Sequence, residues 1–387
     1  MTPQETAKAL ELNRKAAERG DAKAQHNLGN AYLKGVGVTK STDEATKWFQ
    51  KAADQGLAEA EFSLGTCYHL GEGVPKNPEQ AAKWFRFAGN GGDTKGQFML
   101  GNCYREGNGV PMNLAEAANW FRKAANKGDS IAQVALAECY AKGEGVARNE
   151  SEAVKWYREA ANQGDPVAQY KLGHCYRFGN GIPYDKTEAV KWFRKAADQG
   201  ERFSQSELGD LYYLGDGVPK DKAEAAKWFR KAADQGLHLA QFKLGTCYAE
   251  GEGGPKDMVE AARWFRKAAD QGLADAQCNL GRCYSKGEGV PQDKAEAVKW
   301  FMKGANQGDS MSQILLGTCY REGDGVARDD VTACMWYNIV ADVTGRGSLA
   351  DLSRSVVSER MTQEQIAEAK RRSSAWKPTI KETDQRP

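Results

Sequence analysis

The chain has 387 residues and carries 54 Lys and Arg against 52 Asp and Glu, a formal net charge of +2. So even a balance favours neither a phosphate backbone nor an anionic membrane surface, and no nucleic-acid partner is expected. No run approaches the roughly 18 apolar residues of a membrane span, and the opening MTPQETAKALELNRKAAERG lacks the apolar stretch of a secretory signal. The expected compartment is the cytoplasm, with secretion or delivery to a host cell by a signal-independent route as the alternative; no membrane insertion is expected.

Residues 1–20 read as an N-terminal capping half-repeat. Ala16, Ala17 and Gly20 keep the register of the full repeats, while Leu12 and Asn13 stand where those repeats carry Trp and an aromatic. From there Trp48, Trp84, Trp120, Trp156, Trp192, Trp228, Trp264, Trp300 and Trp336 recur every 36 residues without insertion or deletion. A period of that size marks a solenoid, in which each unit buries its apolar face only against its neighbours. Residues 21–344 therefore predict nine repeats, starting at Asp21, Leu57, Asp93, Asp129, Asp165, Glu201, Leu237, Leu273 and Asp309. Residues 345–380 read as a degenerate C-terminal capping repeat. Within it, Met361 to Ile366 predicts a capping box and a last helix reaching about Trp376. Residues 381–387 read as a disordered tail.

Each unit predicts a helix–turn–helix. In the second copy Ala60 to Tyr68 makes the first helix, and Gly71 and Gly73 end it and turn the chain back. The second helix opens on an N-cap column of Ser41, Asn77, Asn113, Asn149, Asp185, Asp221, Asp257, Asp293 and Asp329. Three residues later stand Glu44, Gln80, Glu116, Glu152, Glu188, Glu224, Glu260 and Glu296, so a capping box is expected in every unit except the last, where Thr332 departs. The helix then closes at a glycine, from Gly56 to Gly308. Inside the first helix Gly65 and its equivalents cost about 1 kcal/mol each relative to Ala. Close approach of another helix is the expected reason, with Ala137 as the one methyl accommodated.

Cys67, Cys103, Cys139, Cys175, Cys247, Cys283 and Cys319 share one column, where Ala31 and Leu211 stand in the other units. Those stand-ins predict buried, reduced core thiols and no zinc site. No catalytic residue, cofactor or metal is expected, because no phosphate loop, zinc-protease helix or nucleophile elbow occurs. A Ser-x-x-Lys match at Ser374 and Lys377 has none of its usual companions and reads as chance.

The run Leu-Gly-x-x-Tyr, then Gly-x-Gly-Val, then Glu-Ala-x-x-Trp-Phe-x-x-Ala-Ala resembles the Sel-one-like repeat family, relatives of the tetratricopeptide repeats. The likeness covers residues 1 to about 378, and the Met-Thr-x-Glu-Gln-Ile-Ala-Glu-Ala ending is similar to the C-terminal cap of bacterial members. It implies an all-α fold, a right-handed α-α superhelix whose first helices line the concave side. It implies work as a protein-binding scaffold or adaptor, not an enzyme, and a monomer is expected. A cysteine-rich branch of the family implies the alternative of a penicillin-binding or β-lactam-hydrolysing enzyme. That branch carries two cysteines per repeat, whereas here the repeats share a single cysteine column.

A binding face can be sought by comparing the copies. Counting the Gly65 position as zero and turning about 100° per residue, the constant columns of the first helix fill one half of its wheel and the variable ones the other. The variable half carries His26, Phe62, Phe98, Tyr170 and Phe242 at −3; Asn102, His174 and Arg282 at +1; and His69, Arg105, Arg177, Tyr213 and Arg321 at +4. Aromatics, Arg and amides are the types that anchor protein or peptide partners. These residues are the candidate partner site, with the +4 column expected to carry no packing.

Overall fold

Asp21 and Ser41 begin the two helices of the first repeat, each accepting a hydrogen bond from the backbone N–H three residues on. The same device recurs along the chain and yields a computed structural model that describes residues 3–345 and 347–379, with side chains from residue 11. The expected tail at 381–387 lies outside the described residues. The chain divides into two compact units, residues 1–196 and 197–387.

The first unit holds α1 (Pro3–Glu18), α2 (Ala22–Lys34), α3 (Thr42–Ala53), α4 (Ala58–Leu70), α5 (Pro78–Asn90), α6 (Thr94–Glu106), α7 (Leu114–Ala125), α8 (Ser130–Lys142), α9 (Glu150–Asn162), α10 (Pro166–Phe178) and α11 (Lys186–Asp198). The second holds α12 (Arg202–Leu214), α13 (Lys222–Asp234), α14 (His238–Glu250), α15 (Met258–Asp270), α16 (Ala274–Lys286), α17 (Lys294–Asn306), α18 (Ser310–Glu322), α19 (Asp330–Thr344), α20 (Leu349–Ser358) and α21 (Gln363–Ala375). All regular structure among the described residues is helical, which is the expected all-α, α-α superhelical repeat class. Even-numbered helices from α2 to α18 are the first helices of the repeats, and odd-numbered ones from α3 to α19 the second.

The capping boxes of the second helices form only in half. Asn113 Oδ1 accepts from Glu116 N at 3.1 Å, but the N-cap N–H is already committed, since Asn113 N donates to Tyr104 O at 2.8 Å. The glutamate turns to the solvent side, where Glu44 pairs with Lys47 at 2.7 Å, Glu188 with Lys191 at 2.6 Å and Glu296 with Lys299 at 2.9 Å. Among the described residues the reciprocal bond forms at Thr362 and Gln365, at the start of α21. Met361 and Ile366 join one apolar cluster there, as the staple requires.

The helical glycine has a specific cause. A Cβ on Gly101 would stand 2.5 Å from a ring carbon of Phe121, and one on Gly65 2.7 Å from Phe85. The ring of the second helix therefore lies flat on the backbone of the first. The second glycine of the turn can be equally confined: Gly109 has φ +74°, and a Cβ there would collide with the carbonyl of Pro78 in the preceding repeat.

Two contacts bind repeat to repeat. Trp120 packs with Phe85 of the preceding repeat and Leu100 of its own, as Trp264 does with Phe229 and Leu244, and Trp300 with Phe265 and Leu280. The second contact is polar. Gln133 is buried; its Nε2 donates to Ala125 O in the preceding repeat at 3.2 Å, and its Oε1 accepts from Gln163 Nε2 at 2.8 Å. Gln25, Gln241 and Gln277 repeat the pattern with Gln55, Gln271 and Gln307. This amide closes an orphan helix-end carbonyl that burial would otherwise leave without a donor.

The second repeat breaks the series. Glu61 occupies the glutamine position, and Gly91 stands where the donor amide would be. Glu61 is buried, and burial pushes its carboxyl above the ordinary range. One repeat on, Lys127 replaces the donor and reaches Gly92 O at 2.6 Å, so the buried Gln97 Oε1 accepts no bond among the described residues.

This packing makes two outcomes measurable. Gly101→Ala should lower stability by about 1–3 kcal/mol in chemical denaturation, because the overpacked ring outweighs the gain in helix propensity; a stabilised variant would contradict the ring-on-backbone contact. Glu61→Gln should raise stability more at pH 7 than at pH 4. A carboxyl whose folded pKa is raised costs nothing below its unfolded value and destabilises progressively as pH rises above it. Equal gains at both pH values would show that Glu61 is not held against its ionisation.

Candidate functional site

The variable half of the first helices is neither plain core nor bare solvent face. Phe62, Phe98 and Phe242 are half-buried, with ring centroids 5.9, 5.7 and 5.9 Å from Phe85, Phe121 and Phe265 of their own repeats. One side of each ring is thus packed and the other is open. Tyr170 goes further and is buried, 6.1 Å from Phe193. His26 follows the same column, 5.5 Å from Phe49, with Nε2 3.0 Å from Ser63 Oγ. Burial holds its imidazole below the usual histidine range.

The +4 column does carry packing, contrary to expectation, because the ring lying on the helical glycine extends one turn further along the first helix. Arg105 places its guanidinium 5.5 Å from the Phe121 ring and 3.9 Å from Glu106. His69 stands 6.3 Å from Phe85. Arg177 lies 5.6 Å from Phe178. Tyr213 is tied to Glu252 of the next repeat, and that hydrogen bond pushes its phenol up to about 12. Glu252 in turn pairs with Lys222. Arg321 pairs with Glu322 at 2.6 Å.

The +1 column is mixed. His174 sits among Tyr170 at 4.6 Å, Phe193 at 5.3 Å and Phe178 at 5.5 Å, an aromatic cluster built from α10 and α11. Asn102 keeps a buried Oδ1 that accepts no bond among the described residues. Arg282 is exposed, its Nη1 3.5 Å from Asn279.

Helical-wheel reasoning missed two cavities in the second unit. The first, about 210 Å³, lies between α12 and α14 over the ring of Phe229, with Asp210, Tyr213, Phe242, Lys243 and Thr246 around it. The second, about 180 Å³, lies between α16 and α18 over Phe301, with Arg282, Ser285, Leu315, Thr318 and Cys319 around it. A small residue, Thr246 or Thr318, follows the helical glycine at each, and that was the available signal. Among the described residues no three His, Cys, Asp or Glu side chains gather as metal ligands, and no helix is long and apolar enough to cross a membrane.

The cysteine column is core. All nine cysteines are buried, and burial pushes Cys103, Cys139, Cys175, Cys247, Cys283 and Cys319 up to about 11. Cys278, outside the column, is raised to about 11 in the same way.

This is the architecture of a helical-repeat protein with one open helix face. A family model described as the Sel1 repeat matches residues 1–21, 22–57, 58–93, 94–129, 130–165, 166–201, 203–237, 238–273, 274–309 and 310–342. The chain belongs to the Sel1 repeat family. A protective antigen of uropathogenic Escherichia coli strains, displaying an SLR fold, is 32% identical with a TM-score of 0.62, over 96% of this chain and 87% of that one. A Sel1 repeat protein from Oxalobacter formigenes is 36% identical with a TM-score of 0.64, over 80% of this chain and 89% of that one. Among curated proteins none matches the chain.

Thiol labelling checks the placement of the cysteines. At neutral pH only a trace of each thiol is ionised, so native protein should react with a thiol reagent far more slowly than denatured protein, in which all nine should react. Rapid native labelling of any column cysteine would contradict its burial.

Proposed function

We propose that this protein is a non-enzymatic scaffold that holds a partner protein or peptide along the face made by its first helices. Members of its repeat class generally serve as protein-interaction scaffolds. The observation that carries the reading is a division of labour within each repeat. The second helix spends its Trp and Phe on neighbouring helices, whereas the first helix leaves half-buried Phe62, Phe98 and Phe242 and the cations Arg105, Arg177 and Arg282 turned outward. Half-packed aromatics and Arg are pre-positioned at little entropic cost, which is what hot spots require.

The β-lactam alternative is not supported by the local geometry. Ser374 is exposed near the end of α21 and Lys377 is exposed beyond it, so nothing there desolvates or orients an acylating serine.

The test is a triple variant, Arg105→Ala, Arg177→Ala and Tyr213→Ala, against an outer-helix control, Lys83→Ala, Lys155→Ala and Lys191→Ala. Proteins that co-purify with the wild type should be depleted at least tenfold in the first variant and retained in the second. Helicity should be unchanged in both, and the melting shift small, since an Arg over a ring contributes about 0.5–1 kcal/mol when exposed. Loss of partners in the outer set alone would place the binding face on the second helices.

A further inference from the structure

The two cavities of the second unit occupy the same place in their repeats. Asp210, Tyr213, Phe229, Lys243, Thr246 and Cys247 of the first correspond, two repeats on, to Arg282, Ser285, Phe301, Leu315, Thr318 and Cys319 of the second. Each has a phenylalanine ring as its floor and a first helix on either side. Each holds about 180 to 210 Å³. That exceeds the roughly 150 Å³ cavity that takes benzene, yet falls short of the about 300 Å³ at which free small-molecule sites begin. One large side chain of a longer chain fits such a space.

Their charge differs. At the first socket Lys243 and Asp210 neutralise one another at 2.6 Å. At the second the acids already serve other cations, Glu322 with Arg321 at 2.6 Å and Asp324 with Lys294 at 2.6 Å. Arg282 and Lys286 therefore set the sign there. Among the described residues Lys286 meets only the exposed Glu288 at 4.0 Å, a screened contact.

We propose that these sockets receive two aromatic side chains of one extended peptide, with a carboxylate beside the second. This rests on the first-helix reading and specifies the ligand it takes in the second unit. Helices two repeats apart lie about 20 Å apart at the usual packing distance. An extended chain covers about 3.3 Å per residue, so the anchors stand about six residues apart in the peptide.

The test uses the full chain and acetylated, amidated peptides followed by isothermal titration or fluorescence anisotropy. One carries two Phe separated by a five-residue Gly/Ser spacer and followed by Glu. The others shorten the spacer to two residues, remove one Phe, or replace the Glu by Gln. The five-residue peptide should bind at least tenfold more tightly than the two-residue and single-Phe peptides, because the second contact becomes intramolecular. Thr246→Trp and Leu315→Trp, each filling one socket and each checked for an unchanged helical spectrum, should separately abolish that gain. The Glu-to-Gln peptide should bind more weakly to the wild type and equally to Arg282→Gln.

Equal affinity for the two spacers would overturn the paired sockets. If the first-helix alanine set still lost its partners, the scaffold reading would survive that failure. N-acetyl-phenylalaninamide binding as tightly as the long peptide would also overturn the proposal, in favour of a small-molecule site.

Discussion

A buried amide holds this array in register. Gln133 donates to a carbonyl at the end of the preceding second helix and accepts from Gln163 at the end of its own repeat's second helix, so one side chain ties the preceding repeat to both helices of its own. A carbonyl left bare in that position would cost about 1–3 kcal/mol. The indole that enters the preceding core, as Trp120 does beside Phe85, supplies apolar area. The amide supplies direction. A repeat slid by one residue would keep most of its apolar contacts and lose the hydrogen bond to the preceding repeat.

This division leaves the outer half of the first helix only partly covered. Phe121 and its equivalents lie on the helical glycines and so fix the distance between the paired helices from the inside. The first helix then needs its outer half for nothing structural beyond covering those rings, and Phe98 and Arg105 cover Phe121 only in part. Where the covering side chains are small, as at Thr246 and Thr318, the same rings become the floors of cavities. Phe62, Phe98 and Phe242 are half-buried because they pack on these rings. The departures at Glu61, Gly91 and Lys127 show that single latches can be omitted while the Trp contact remains.

Much of the fold was legible because its signals are local. An N-cap Asp or Asn, a glycine after a helix and a Trp every 36 residues act through their own backbone or their immediate neighbours, and each element starts and stops where those residues stand. The capping boxes were misread because the competing acceptor, Tyr104 O for Asn113 N, belongs to a different helix. The glutamine column was visible as constant, yet its partners lie eight residues upstream and thirty downstream, beyond any helical period. A wheel drawn on one helix cannot reveal a cleft between two. The sockets between α12 and α14 and between α16 and α18 therefore emerge only once the helices are packed.

The central claim is that the buried amide is a shared latch, bonded to the preceding repeat and held in place by Gln163 of its own repeat, and a double-mutant cycle on Gln133 and Gln163 measures it most directly. Gln133→Ala and Gln163→Ala, alone and together, would be unfolded in urea with the free energies compared. The two side chains meet at 2.8 Å, so their effects should fall short of additivity by about 1 kcal/mol. Strictly additive losses would mean that the two amides act independently, and that Gln163 does not hold Gln133 on the carbonyl of the preceding repeat.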